Sequence, residues 1–223
     1  MSIATLIMGE SGTGKSTSLR NLDPEQVLLI QAVKKPLPFR STNWKPATSE
    51  GGSVFVTDRT QWIVKAMQKT TKPIIIIDDF QYVMANEFMR RVTEQESGNS
   101  AFAKYNEIAR SAWDVFQLAS NLPDHKRVYI LSHTSTDEAG KTKIKTIGKL
   151  LDEKIVLEGL VTIVLRTMRI NDQYIFATQN SGSDTTKSPL GLFEDEHIEN
   201  DLAAVDQAIV DYYGITPPPE TKE

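Results

Sequence analysis

Cysteine is missing from the 223 residues, which excludes disulfides and thiolate metal ligands and fits a reducing compartment. Long apolar runs are missing too. No stretch approaches the roughly 18 to 20 residues that a membrane helix needs, so no membrane partner is expected. Nor does a basic leader with an apolar centre stand before the first apolar segment, and the expected location is cytoplasmic. Positive charge is not in excess either: 25 Lys and Arg face 29 Asp and Glu, a net charge of −4. That balance argues against a chain that binds nucleic acid with its whole surface, and leaves local basic patches to be found.

What is present suits a globular protein, with 39% apolar and 24% charged residues in a chain long enough to bury a real core. No internal repeat and no second core is visible. Residues 1–213 read as one domain and 214–223 as a proline-rich flexible tail.

The most informative stretch runs from Ser2 to Arg20. The apolar Ile3 to Met8 reads as a buried parallel strand, and Gly9-Glu10-Ser11-Gly12-Thr13-Gly14-Lys15-Ser16 follows it directly. In the pattern G-x-x-x-x-G-K-[ST] the glycines let the backbone turn so that successive N–H groups point inward at a polyphosphate. A short helix from Lys15, stopped by Asn21-Leu22-Asp23-Pro24, is expected to add its positive end. The spacing assigns residues 9–17 to phosphate binding, with Lys15 reaching the β- and γ-phosphates and the Ser16 hydroxyl ligating Mg²⁺. Thr17 is a supporting candidate.

A second signal is Ile74-Ile75-Ile76-Ile77-Asp78-Asp79. Four β-branched residues make a strand buried on both faces, and its acids emerge at the carboxyl end, where ligands bind in open α/β sheets. Asp78, the first acid, is the candidate for the metal, and Asp79 for orienting or activating the attacking water. Taken alone, the pair also suits the cap of a following helix. A third strand, Val128 to Leu131, is closed by Ser132-His133-Thr134. His133 is the candidate for γ-phosphate sensing or water positioning, with Ser132 and Thr134 beside it; a histidine there also fits a purely structural role.

Between these landmarks the periodicity predicts strands over Val27 to Ile30 and Val54 to Val56 and a helix capped by Asp58. Further helices are predicted over Gln81 to Glu94 and Ala101 to Leu122, separated by Glu96 to Ser100. In the second, Phe102, Tyr105, Ala109, Ala112, Phe116 and Ala119 form an apolar stripe. A strand ending near Met168 pairs with Gln173 to Gln179 across an Asn171-Asp172 turn, and Ile198 to Tyr213 is a terminal helix.

Two segments carry local positive charge. Residues 31–53 hold Lys34, Lys35, Arg40 and Lys45 interleaved with Phe39 and Trp44, which suits either a nucleic-acid or partner contact or a surface excursion over a sheet edge. Lys141, Lys143, Lys145 and Lys149 follow one another with no acid between them. They admit three readings: a solvated hairpin, a nucleic-acid-facing loop, or a lysine that reaches the γ-phosphate of a neighbouring subunit. Lys187, in the polar loop Asn180 to Pro189, joins them as a candidate. Apart from Lys15, no lysine or arginine in the first 80 residues is evidently placed to finish the γ-phosphate site. On the third reading the phosphate loop is therefore half of a site shared between chains.

The order GKSTSLRNLDPE, KPLPFR, IIIIDDFQYVMANEF, KTIGKLLDEK and YIFATQN with KSP resembles a family of small phage-encoded ATP-binding proteins grouped with RecA-like recombination and annealing ATPases. The resemblance covers most of residues 1–213. It implies an α/β, three-layer P-loop NTPase fold with a mainly parallel RecA-like sheet and a C-terminal antiparallel hairpin. It also implies ATP and Mg²⁺ as cofactors, and phosphate and metal roles for Lys15, Ser16 and Asp78, with His133 at the sensor position. A homo-oligomeric ring or filament acting in DNA recombination or replication is implied with it, with single-stranded DNA or a DNA-bound protein as partner and the host cytoplasm as location. One departure stands out: where RecA-type members usually carry a catalytic glutamate, this chain reads Leu29-Ile30-Gln31-Ala32, which shifts weight to Asp79.

Two other classes use the same loop. A nucleotide or nucleoside kinase usually places the phosphate-loop strand beside the acidic strand, so the position of the Val128 to Leu131 strand discriminates. A non-hydrolysing ATP-bound partner module would use nucleotide only to stabilise an interface.

Overall fold

The computed structural model describes residues 1–94 and 103–216. The predicted separator Glu96 to Ser100, Phe102 of the apolar stripe and residues 217–223 of the tail lie outside that range.

The fold is a P-loop NTPase-type α/β architecture: a nine-stranded, mostly parallel sheet covered on both faces. The strands are β1 (Ile3–Gly9), β2 (Val27–Gln31), β3 (Val54–Val56), β4 (Ile74–Asp78), β5 (Arg127–Thr136), β6 (Thr142–Ile144), β7 (Ile163–Ile170), β8 (Gln173–Ala177) and β9 (His197–Glu199). They lie in the order β3-β2-β4-β5-β1-β7-β8-β9, with β6 paired to β5 alone. Strands β1 to β5 and β7 run parallel, and β8 and β9 extend the sheet antiparallel beyond β7.

Helices α1 (Thr60–Lys69), α2 (Gln81–Arg90) and α3 (Ala103–Asn121) cover one face, and α4 (Leu202–Tyr213) the other. The alternation of β4 shows how one sequence serves both: Ile75 and Ile77 enter the α1–α3 core, whereas Ile74 and Ile76 enter the core beneath α4. In α3, Ala109, Ala112, Phe116 and Ala119 are buried as the stripe predicts. No helix among the described residues is long and apolar enough to cross a membrane.

Opposite α3, a buried network ties α4 to the sheet. Arg127 donates from Nε and Nη2 to the two oxygens of Asp206 at 2.9 and 2.8 Å, and the Tyr129 hydroxyl donates to Asp206 Oδ1 at 2.6 Å.

Several boundaries differ from the sequence expectation, each for a tertiary reason. Asp58 does not cap α1; its carboxylate accepts from Asn86 and Arg90 at 2.8 and 2.7 Å, and the cap position falls to Arg59. The terminal helix starts at Leu202 under an Asp201 cap, because His197–Glu199 is drawn off as a strand against β8. Strand β5 continues through Ser132, His133 and Thr134 to Thr136, since β6 folds back and pairs with its end. The predicted hairpin forms across Asn171 and Asp172, whose φ values of 49° and 63° are those of a tight primed turn.

Candidate active site

Strand β1 ends at Gly9, and the chain doubles back over its tip before a 3-10 turn, Ser16–Asn21. Gly12 and Gly14 adopt φ values of +79° and +100°, which glycine alone enters without strain. Gly9 is needed for a different reason: a Cβ there would stand 2.0 Å from Thr167 Oγ1 and 3.0 Å from the Thr167 carbonyl oxygen on neighbouring β7. Thr13 donates to the Glu10 carbonyl at 2.8 Å, which leaves Thr167 to donate to Thr13 across 2.6 Å. The loop is thereby pinned to β7.

Lys15 is buried and donates from Nζ to the carbonyls of Gly9 and Glu10, both at 2.8 Å. Burial lowers its pKa to about 8, against the pull of Asp79 and Asp78. A six-residue 3-10 turn after the loop contributes far less aligned dipole than the helix expected from the sequence. Anion affinity here rests on the loop N–H groups and on Lys15.

The Ser16 hydroxyl sits 3.0 Å from each oxygen of Asp78. Asp78 is buried, and that burial, with the neighbouring Asp79 charge, raises its pKa to about 6. A hydroxyl and one buried carboxylate converging beside a phosphate loop are the donor set Mg²⁺ takes when phosphate oxygens and water complete its shell. No cluster of three metal-ligating side chains exists among the described residues, and that chemistry needs none.

Asp79 takes a left-handed φ of 59°, uncommon outside glycine though tolerated by aspartate. This turn separates the two acids. Asp78 faces Ser16, while Asp79 is paired with the Lys35 ammonium through Oδ2 and lies 3.5 Å from His133 Nε2 through Oδ1. Burial pushes the Asp79 pKa up, but the His133 and Lys35 hydrogen bonds outweigh it and bring it to about 2. His133 reaches this position because β5 lies between β1 and β4, in register with Gly9 of the loop. The Tyr82 ring meets the imidazole edge-on at 6.2 Å. Ser132, one residue earlier, is buried and its hydroxyl has no hydrogen-bond partner.

The phosphate loop, Asp79 and His133 line one cleft of about 340 Å³, which Lys35, Pro36, Pro38 and Tyr174 complete. Lys35 corrects the sequence expectation that only Lys15 among the first 80 residues brings positive charge to this site. The interleaved aromatics of the same loop, Phe39 and Trp44, are half-buried against the α4-side core, edge to face at 6.1 Å. Tyr174 and Asn200 lie against Gly14, where a Cβ would meet the Tyr174 ring at 3.0 Å and the Asn200 amide at 3.1 Å. Neither carried a sequence signal, since β8 and β9 reach the loop only through sheet pairing.

None of the other lysine candidates lines this cleft, although the Lys145 backbone N–H donates to the His133 carbonyl at 2.8 Å. Lys143, on β6, donates to the Asp152 carbonyl at 2.9 Å and pairs with its carboxylate at 3.4 Å. Lys141, Lys145 and Lys149 are exposed around the hairpin, and Lys187 is half-buried where it bridges to Val164.

No protein-family model and no curated protein matches the sequence. Among solved structures, the chain is similar to the genome packaging NTPase B204 of Sulfolobus turreted icosahedral virus 2, solved with ATP-gammaS. The TM-score is 0.37 at 12% identity, over 82% of this chain and 78% of that one. It is also similar to the Legionella pneumophila ATPase DotB, with a TM-score of 0.35 at 12% identity over 79% of this chain. The likeness spans 44% of DotB, under half its length. At this distance no residue role is carried across.

Proposed function

We propose that the chain binds MgATP in the Gly9–Thr17 loop and hydrolyses it. The observation that carries the reading is the insertion of β5 between the phosphate-loop strand β1 and the acidic strand β4. A kinase-type sheet sets those two strands side by side. Here the inserted strand brings His133 to Asp79 at the open end of the cleft, which supports a site built for water as the phosphoryl acceptor.

In this reading Lys15 leaves the loop carbonyls for the β- and γ-phosphate oxygens, and Ser16 and Asp78 would hold Mg²⁺, which would supply positive charge to the transferring phosphate. Asp79 orients the water, which suffices for a loose phosphoryl-transfer transition state. His133 holds Asp79 in that orientation.

The finer proposal is a cytoplasmic homo-oligomer, ring or filament, of RecA-like type that works on single-stranded DNA or a DNA-bound protein in recombination or replication. Its support is the motif order along the chain and the exposed Lys141, Lys145 and Lys149. The test is phosphate release from MgATP with and without single-stranded DNA, beside a mass measurement of the assembly. Turnover that rises with DNA or protein concentration supports the full reading. Phosphoryl transfer to a nucleoside or nucleoside monophosphate, without phosphate release, would sink it.

A further inference from the structure

Lys35 is a surface residue whose backbone is fixed on both sides. Gln31, buried at the end of β2, donates from Nε2 to the Lys35 carbonyl at 3.2 Å. Pro36 and Pro38 restrict the chain that follows, and Leu37 and Phe39 pack against the α4-side core. With the backbone anchored, the side chain lines the same cleft as Ser11 and Gly12 of the phosphate loop, and its ammonium rests on Asp79.

The charges explain why that rest position is temporary. Without nucleotide, Lys15 and Lys35 balance Asp78 and Asp79. MgATP adds about two net negative charges, and of its three phosphates the terminal one carries the most negative charge. A doubly charged phosphoryl group is a stronger acceptor for an ammonium than one carboxylate already shared with His133. The Gln31 amide thus holds the lysine-bearing loop in place.

We propose that Lys35 binds the γ-phosphate of ATP within its own chain, exchanging Asp79 for the phosphate and leaving Asp79 free to hold the attacking water. This rests on the ATP-hydrolysis reading above. Water oxygen bonds to the γ-phosphorus, and the bond from that phosphorus to the bridging oxygen breaks with its electron pair left on ADP. Both protons of the water leave on the phosphate product, as dihydrogen phosphate. Lys35 neutralises charge on the γ-oxygens throughout, and for this step the site needs no cation from a second chain.

The test compares wild type with Lys35→Met and Lys35→Arg for equilibrium binding of ADP and ATPγS and for single-turnover hydrolysis. Lys35→Met should weaken ATPγS about tenfold or more, leave ADP within about twofold, and slow hydrolysis about 100- to 1,000-fold; Lys35→Arg should recover part of both. Lys35→Met combined with Asp79→Asn should be slower than Asp79→Asn alone. Equal rates would mean that Lys35 acts only by holding Asp79, and would overturn the proposal, as would equal effects on ADP and ATPγS. Mixing Lys35→Met with Lys15→Ala protein should restore no activity; recovery on mixing overturns the same-chain assignment. Wild type that binds both nucleotides without hydrolysis overturns only the hydrolysis reading, and the binding comparison still decides Lys35. Wild type that binds neither overturns both.

Discussion

The Ser16 hydroxyl and the Asp78 carboxylate, 62 residues apart in the chain, meet at 3.0 Å on both carboxylate oxygens. The contact joins the phosphate loop to the acidic strand across the tip of β5, and it marks where a divalent ion would enter. Ser16→Ala should therefore weaken Mg²⁺-dependent nucleotide binding about tenfold or more while leaving metal-free ADP binding nearly unchanged. Titration of Mg²⁺ against bound fluorescent ADP reads both quantities.

Asp78 also gives a pH-dependent stability. Its folded pKa, about 6, lies above the ordinary 3.8, so the ionised form is penalised in the native state. The cost is absent below about pH 4, grows between pH 4 and 6, and is constant above that. Metal-free Asp78→Asn should accordingly be more stable than wild type by about 3 kcal/mol at pH 8, with the advantage fading as pH falls through 6 toward 4. Urea unfolding across that range checks it; a constant difference contradicts it.

Gly9→Ala tests the packing of the loop on β7. The added Cβ would meet both the Thr167 hydroxyl and its carbonyl oxygen, so one of the two strands must move. The expected result is a loss of about 1 to 3 kcal/mol in stability, together with weakened nucleotide binding, read by thermal unfolding with and without MgADP.

Asp206 concerns the fold alone. Removing its carboxylate leaves the Arg127 guanidinium and the Tyr129 hydroxyl buried without their acceptor. Asp206→Ala should cost about 3 to 5 kcal/mol. Chemical denaturation measures it, and a loss under 1 kcal/mol would show that α4 is docked by apolar packing only.

What the sequence made legible was local. The glycine spacing of residues 9–16 and the four isoleucines before Asp78 encode their own conformation, and the structure sets both at one end of the sheet. Lys35 was not legible, because its direction depends on where Leu37, Phe39 and Trp44 bury themselves, and that core is assembled from distant segments. The start of α4 was hidden for a similar reason. His197–Glu199 suits the helical pattern that follows it, and only pairing with β8 makes it a strand. Tyr174 and Asn200 reach the phosphate loop through the order of strands, which no window of sequence contains.

The central claim is hydrolysis organised by Asp79, and the most direct test is phosphate release from MgATP by wild type and Asp79→Asn, with ATP affinity measured alongside. Wild type should show magnesium-dependent turnover, and Asp79→Asn, which still binds MgATP, a rate at least about 100-fold lower. No turnover in a wild-type protein that binds MgATP, or equal rates in the two proteins, would contradict it.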